Sequence, residues 1–310
     1  MIPLLLLLVN ASIFSLQGLG EDLGVYELPF VSSSKFGRIQ FIISPEFTVL
    51  NESRDFRGIF WTNPFQFKIA VPVYEGFFLS AGNRERFNQN FDLYAENSNL
   101  RIHLLGSGGI EEIYGGVNKL FPWGGFAVQG SYLFGKNTEV WNYFISDYTI
   151  ADTFTMTYEG FIFSAGIRLK IVDIAYEFLG SVTQKDDTSS SEIDFPERLS
   201  IGVSPDFKNI RLSLLFEHSF WEGDEYLSPN RFRCTIFKDN LSISYSFNPW
   251  YLSGVQENRL DLNLNIPIKK VGLVTAGLSN WLRCRGSIRE FKFVPELKFT
   301  IRELFARRRR

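Results

Sequence analysis

Very few side chains in this sequence have the types and spacing that bond-making chemistry needs. The stretch GSGGIEE (Gly106–Glu112) carries glycines like a phosphate-cradling loop. Its third glycine is missing at the required spacing and no helical pattern follows, so it reads as a turn. His103, on the polar parity of LRIHLL, and His218, at a strand end, have no Cys, His or carboxylate around them at metal-ligand spacing. No G-x-S-x-G elbow occurs. The acidic pairs Glu111–Glu112 and Asp186–Asp187 read as solvated loop charges. No catalytic, cofactor-binding or metal-ligating residue is assigned, and the chain is read as a non-enzyme that needs no cofactor.

What remains is a set of polar residues on the polar parity of alternating segments: Arg168, Asp173, Glu177, Arg211, Arg233, Asp261, Asn263, Asn265, Lys292, Glu296 and Lys298. Both signs are mixed, among many Ser, Gly and Ala. A wide ion-selective pore would carry a ring of one sign. Small, mixed polar residues fit the lining of a narrow, largely filled lumen, or a set of side chains that only satisfy one another. Both readings stay open.

The elements that must position these residues are strands. In NRLDLNLNIP (Asn258–Pro267), Leu260, Leu262, Leu264 and Ile266 alternate with Asp261, Asn263 and Asn265, so one face is apolar and the other polar. NIRLSLLFEH, LSISYSFN, RLSIGVSP and GFAVQGSYLF repeat the pattern. Through Phe161–Leu169 the apolar parity is odd and through Val172–Phe178 it is even, which places a very tight turn at Lys170–Ile171. Further tight turns are expected at 204–209, 238–240 and 267–270. Longer polar loops are expected at Ser181–Glu197, Ser219–Asn230, Pro249–Glu257 and Ser279–Ile288. Short and long connections alternate, as they do in an up-and-down transmembrane barrel and not in a sandwich with crossing connections. Trp123, Trp221, Trp250 and Trp281 lie in or beside connections, where barrels place interfacial rings.

Composition agrees. Aromatics are 16% of the chain and charged residues 21%, and the net charge of −2 leaves no nucleic-acid footprint. The apolar run Ile2–Val9 with small residues at Gly18 and Gly20 reads as a signal peptide over residues 1–20, the alternative being a buried strand or short anchor. After Glu21 no run is long and apolar enough for a spanning helix. Two cysteines, Cys234 and Cys284, are too few to staple a fold; Cys234 sits on an apolar parity, and a bridge between the two stays open. At ~20 residues per strand and connection, the mature chain makes about fourteen strands, within a range of about 12–16. The expected organisation is all-β: a leader or plug over 21–35, one single-domain barrel over 36–305 and a basic periplasmic tail over 306–310.

The stretches NPWYLSGVQENRLDLNLNIPIKKVGLVTAGLSN (Asn248–Asn280) and GSIREFKFVPELKFTIRELFARRRR (Gly286–Arg310) resemble the outer-membrane long-chain fatty-acid transporter family and its secretion-shuttle relatives. The shared marks are a Pro-Trp-Tyr loop, an acidic residue before a strand, an Ile-Pro turn, and Ile-Arg-Glu opening the last strand. VPVYEGFFLSAG (Val71–Gly82) is similar to the family's early strands. The Gly/Ala-rich N-terminal hatch is not recognisable, and the chain ends FARRRR instead of on an aromatic residue. The resemblance implies a bacterial outer-membrane barrel, inserted among lipid by the barrel-assembly machinery. It implies passive passage or shuttling of a hydrophobic small molecule. The alternative is a scaffold or shuttle subunit of an outer-membrane secretion system whose partner is a secreted protein. Fold transfers on such a likeness more readily than substrate.

Overall fold

The computed structural model describes residues 5–11, 21–22, 37–52, 55–62, 65–96, 100–145, 148–193, 195–221, 227–268 and 271–302. The alternating segments form fourteen antiparallel strands closed into one barrel. In chain order they are β1 (Arg38–Ile43 continuing as Pro45–Glu52), β2 (Asp55–Thr62 and Gln66–Tyr74), β3 (Phe77–Asn88 and Phe91–Glu96) and β4 (Leu100–Phe121). There follow β5 (Gly124–Ile145), β6 (Tyr148–Leu169), β7 (Val172–Lys185), β8 (Glu197–Val203, with Asp206–Phe207) and β9 (Ile210–Phe220). The last five are β10 (Asn230–Lys238), β11 (Leu241–Pro249), β12 (Gln256–Ile268), β13 (Gly272–Arg285) and β14 (Ile288–Arg302).

The expected turn at Lys170–Ile171 joins β6 to β7, with Leu169 opposite Val172. Lys170, Lys208 and Asp239 hold left-handed φ of 50°, 45° and 52° in three of these tight turns. These turns define one end of the barrel, the turn end; the opposite, loop end carries the longer connections. Two sequence expectations fail here. Ser279–Ile288 is not a loop: β13 runs to Arg285 and only a two-residue turn precedes β14. GSGGIEE is not a turn but the middle of β4, where Gly108 (φ +131°) passes so close to the Lys136 carbonyl that a Cβ would lie 1.9 Å from it. The long side of the barrel is made of strand, not loop: β4, β5 and β6 are each 22 residues.

Side chains sort as the alternation requires. Leu212, Leu214, Leu262 and Leu264 point out of the barrel, while Asn263 and Asn265 line its interior. The exposed outer belt, with Phe126, Phe134, Phe161, Phe163, Ile167 and Phe299 among its members, would cost a soluble protein dearly but matches hydrocarbon. Trp123, 58% exposed and stacked on Phe121 at 5.2 Å, sits at the turn-end rim of that belt. Trp221, Trp250 and Trp281 do not: they are buried inside, the first two because their connections fold inward and the third because it holds inward parity on β13.

Closure joins the first strand to the last. Leu297 faces Ile43, Arg302 faces Arg38 and, past a break, Phe293 faces Phe47. The register is equal on both sides of the break, which sets Pro295 opposite Pro45, two residues with no N–H to give. On its other flank Pro295 stays in ladder with Leu278. Cys234 and Cys284 are free thiols.

Two irregularities shape the loop end. β2 and β3 pair only from Tyr74–Phe77 to Lys68–Gly82 and then part. At the fork the Asn83 carboxamide accepts from Phe67 N–H (2.8 Å) and donates to the Phe65 carbonyl (3.1 Å), satisfying the edge of β2. Beyond the fork Glu21–Asp22 pairs with Phe87–Asn88 and Leu5–Ala11 pairs with the outer half of β3. Residues 12–20, 23–36 and 303–310 lie outside the described residues, and with them the expected cleavage site, most of the leader or plug, and the basic tail.

The second irregularity is an inversion. On β6 the outward side chains are apolar up to Phe161, then become Glu159, Thr157, Thr155, Thr153 and Thr149. The inward ones change from Ser164 to Ile162, Tyr158, Met156, Phe154 and Ile150. With an apolar band ~25 Å tall, strands of this length must rise well past it, and the swap marks where hydrocarbon ends. Beyond it β4, β5 and β6, flanked on the β4 side by Phe91–Glu96 of β3, form a flap that is mainly polar outside and mainly apolar inside, with Asn137, Glu139 and Asp152 as inward polar side chains.

Candidate functional site

The lumen is the only place where polar chemistry converges among the described residues, and β3 dominates it. After Glu85 the register with β4 slips, and Arg86, Phe87, Asn88, Gln89 and Asn90 are all buried in succession. A wall strand with one open face buries alternate residues; five in a row means that the strand, bulged at Arg86 but still paired with β4 at Phe87 and Asn88, is covered on both faces here. Arg86 Nη1 and Nη2 reach Glu177 on β7 at 3.0 and 2.5 Å, bridging across β4, β5 and β6. Arg86 also meets Glu112 (3.1 Å), which is held bidentately by Arg84 at 2.7 and 2.9 Å.

The same level continues round the barrel as a belt of alternating charge. Glu177 stands opposite Arg198, Glu217 opposite Arg231 (3.0 Å), and Glu257 opposite Arg283 (2.6 Å). Arg283 also bonds Glu290 at 2.6 Å, and Lys292 meets Glu46 at 2.5 Å. Trp281 is enclosed by cations, with Arg259 3.5 Å, Lys292 4.6 Å and Arg283 5.0 Å from its ring centroid. Each buried ion would cost several kcal/mol alone, so pairing with good geometry is what permits the belt.

Above the belt, toward the loop end, lies a buried aromatic plug. Trp221 stacks on Tyr251 at 4.2 Å, and Phe87 packs edge-on against Phe195 (5.1 Å), Tyr251 (6.2 Å) and Trp221 (6.3 Å). Trp250, Leu252 and Val255 of the β11–β12 connection complete it together with wall residues Ile110, Leu133, Tyr158 and Ile162. The connection is pinned by Leu227 N–H to the Tyr251 carbonyl (2.7 Å) and turned by Gly254 at φ +77°. Below the belt, at the turn end, a polar cavity of about 580 Å³ opens between Arg38, Lys68, Arg168, Arg233, Asn263 and Lys298.

The eleven residues expected to line the lumen are dispersed over these layers. Arg168 pairs with Asp173 (2.7 Å) and Arg233 with Asp261 (3.0 Å) around the turn-end cavity, where Asn263 and Asn265 also lie; Asn265 accepts from the Thr275 hydroxyl at 2.7 Å. Glu296 and Lys298 pair at 2.7 Å, and Glu177 and Lys292 belong to the belt. Arg211 is an exposed rim residue paired with Asp206 in the β8–β9 turn. His218, at the rim, meets Asn230 Oδ1 at 2.8 Å.

Most of the belt and all of the plug were missed. Glu112, read as a solvated loop charge, is fully buried. Arg84, Arg86, Arg198, Arg231, Arg283, Glu257 and Glu290 lie near strand ends, where alternation fades into loop composition. The available signal was NRERFNQN (Asn83–Asn90), eight residues without alternation inside an otherwise regular strand. Asp186 was placed correctly: it is an exposed turn carboxylate that accepts from the Thr188 and Ser189 amides at 2.7 and 2.6 Å.

No protein-family model and no curated protein matches the sequence. Solved structures do match in fold. A Pseudomonas putida toluene transporter, TodX, superposes with a TM-score of 0.53 at 9% identity, over 88% of this chain and 90% of that one. A Pseudomonas aeruginosa FadL homologue gives 0.52 at 7% identity, over 86% and 90%. The CymD monoaromatic hydrocarbon channel gives 0.50 at 10% identity, over 86% and 88%. At such identities the likeness is one of architecture, and the chain therefore has the fold of the FadL-type barrels that its C-terminal motifs resemble.

Proposed function

We propose that this protein resides in the bacterial outer membrane, turn end in the periplasm, and passes a hydrophobic small molecule inward without consuming energy or a cofactor. One observation carries the reading: the inner face of the flap is mainly apolar and runs into the buried plug, with Asn137, Glu139 and Asp152 its polar members and Glu139 held by Trp141 Nε1 (3.0 Å) and Asn137 (3.1 Å). Leu104, Trp141, Phe154 and Met156 lead down to Tyr158, Ile162 and the Trp221–Tyr251 stack. Water has no reason to fill such a path and an apolar solute does. The belt below pairs its charges side to side and opposes free ion flow. Channels for toluene and monoaromatic hydrocarbons share the fold, which supports this class of cargo. In this reading residues 1–20 are removed on export, which takes Leu5–Ala11 away from β3 and uncovers the wall beside it. Insertion by the barrel-assembly machinery belongs to the same reading.

The test is uptake of radiolabelled toluene and of a radiolabelled long-chain fatty acid by cells producing the mature chain, against cells producing Phe154→Asp. Faster entry of at least one, reduced several-fold by the variant, is expected. Entry equal to that of cells lacking the protein would refute passage, and recovery as a soluble monomer without detergent would refute the location.

A further inference from the structure

The flap has an unclosed side. β6 pairs with β5 along its whole length, from Gly124–Leu169 to Ile145–Tyr148, but with β7 only from Thr157–Lys185 downward. Tyr148–Met156 is thus strand on one flank and open on the other. The direction of its hydrogen bonds follows from the β5 register. Lys170 N–H donates to the Trp123 carbonyl, and the register between β5 and β6 does not shift above it. Residues of even number therefore bond to β5, and Thr149, Ala151, Thr153 and Thr155 aim their N–H and C=O groups at the open side.

Soluble and membrane proteins alike blunt such an edge with Pro, Lys, a bulge or a covering segment. Among the described residues this edge has no Pro, Lys, bulge or covering segment, and its one guard is a single inward charge, Asp152, opposite Trp141. Its faces are ordered for pairing, with Tyr148, Ile150 and Phe154 exposed on the inner side and threonines on the outer. Tyr148 is 77% exposed. The flap's opposite margin shows what such an edge accepts, since Leu5–Ala11 adds to β3 there as an antiparallel strand.

We propose that Tyr148–Met156 is a docking edge for an extended segment of a second, extracellular polypeptide, which adds to β6 as a strand with apolar residues on the plug side. The chemistry selects a polypeptide because only another backbone matches a row of alternating donors and acceptors. It also rules out a second copy in the same membrane. Rotation about the membrane normal maps β6 onto a strand running in the same direction, and the strand tilt crosses the two instead of aligning them. The inference rests on the fold and on the proposed outer-membrane location with the loop end outside, and it stands whether or not the barrel passes a hydrophobic molecule.

Benzoylphenylalanine placed singly at Thr149 or Thr155, and for comparison at Thr138 or Asn142 on the flanked outer face of β5, is irradiated in the producing host's intact cells. Adducts are expected at 149 and 155 and not at 138 or 142, and the attached peptide, sequenced by mass spectrometry, should alternate apolar and polar residues. Thr153→Pro deletes one open-side donor without touching the β5 ladder and should reduce the adduct at least tenfold, while Thr153→Val keeps it. Heat-modifiable migration confirms that each variant is folded. No adduct at either edge position, equal adducts on β5, an attached peptide without alternation, or an adduct indifferent to a folded Thr153→Pro would each overturn the proposal.

Discussion

Glu217 and Arg231 show how single residues hold this lumen. They face each other at 3.0 Å with both side chains almost fully buried. Removing one partner strands a charge in a dry interior, so Arg231→Met should destabilise the barrel by about 3–5 kcal/mol. Replacing both with apolar residues (Glu217→Leu with Arg231→Met) removes the need for pairing and should recover most of that loss. Urea unfolding in liposomes followed by tryptophan fluorescence measures both; equal destabilisation by the single and the double variant would contradict the argument. Asp186 is the opposite case, fully in solvent. Hydrogen bonds from the Thr188 amide first, then from the Ser189 and Thr188 side chains and the Ser189 amide, hold its carboxyl at about 2, below the usual 3.8. A lowered folded pKa gives order that is complete above about 4 and lost as pH falls toward 2. The protection factors of the Thr188 and Ser189 amides, taken against the intrinsic rate at each pH, should fall over that window, and Asp186→Asn should flatten the dependence.

Strands translate such residues into faces, and a strand's parity is testable by placing one charge on each side of it. On β12, Leu262 faces outward and Asn263 the turn-end cavity. Arginine at a lipid-facing mid-strand site costs ~2–4 kcal/mol and less inside. Leu262→Arg should lower the yield of heat-modifiable barrel while Asn263→Arg leaves it near wild type. The closing pair is a second element-scale case. Gln40 on β1 faces Thr300 on β14. With Cys234 and Cys284 changed to Ser, Gln40→Cys and Thr300→Cys should form a bridge under mild oxidant. Gln40→Cys with Thr275→Cys, on the next strand but one, should not. A bridge in the second pair alone would mean that closure follows another register.

At the scale of the molecule, belt and plug lie in series. An ion must cross the paired belt, and a polar solute must also cross the Trp221–Tyr251 and Phe87 cluster. The barrel in planar bilayers should therefore show conductance near background. Arg86→Ala with Arg283→Ala removes two cations that hold the belt together and should raise it, whereas Tyr251→Ala, which loosens only the plug, should leave ion flow low while speeding hydrophobic uptake. A large steady current through the unmodified barrel would contradict the serial barrier.

Parity and turn chemistry were legible from residues alone, because each depends on neighbours two apart. Leu260–Ile266 alternates in sequence and in space, the Lys170–Ile171 turn sits where the parity switches, and first-to-last pairing follows from the need to leave no edge in hydrocarbon. Even the inversion along β6 is written in TFTMTYEGFIF, where the apolar positions change from even to odd without a turn. The interior was not legible. Arg86 meets Glu177 across 91 positions, and Trp221, Trp250 and Phe195 meet Phe87 only because three connections and one bulged strand fold into the same space. Local patterns say which way a side chain points, but not what fills a cavity that fourteen strands enclose together. That was decided by closure, which turned strand-end charges into a paired belt and loop aromatics into a core.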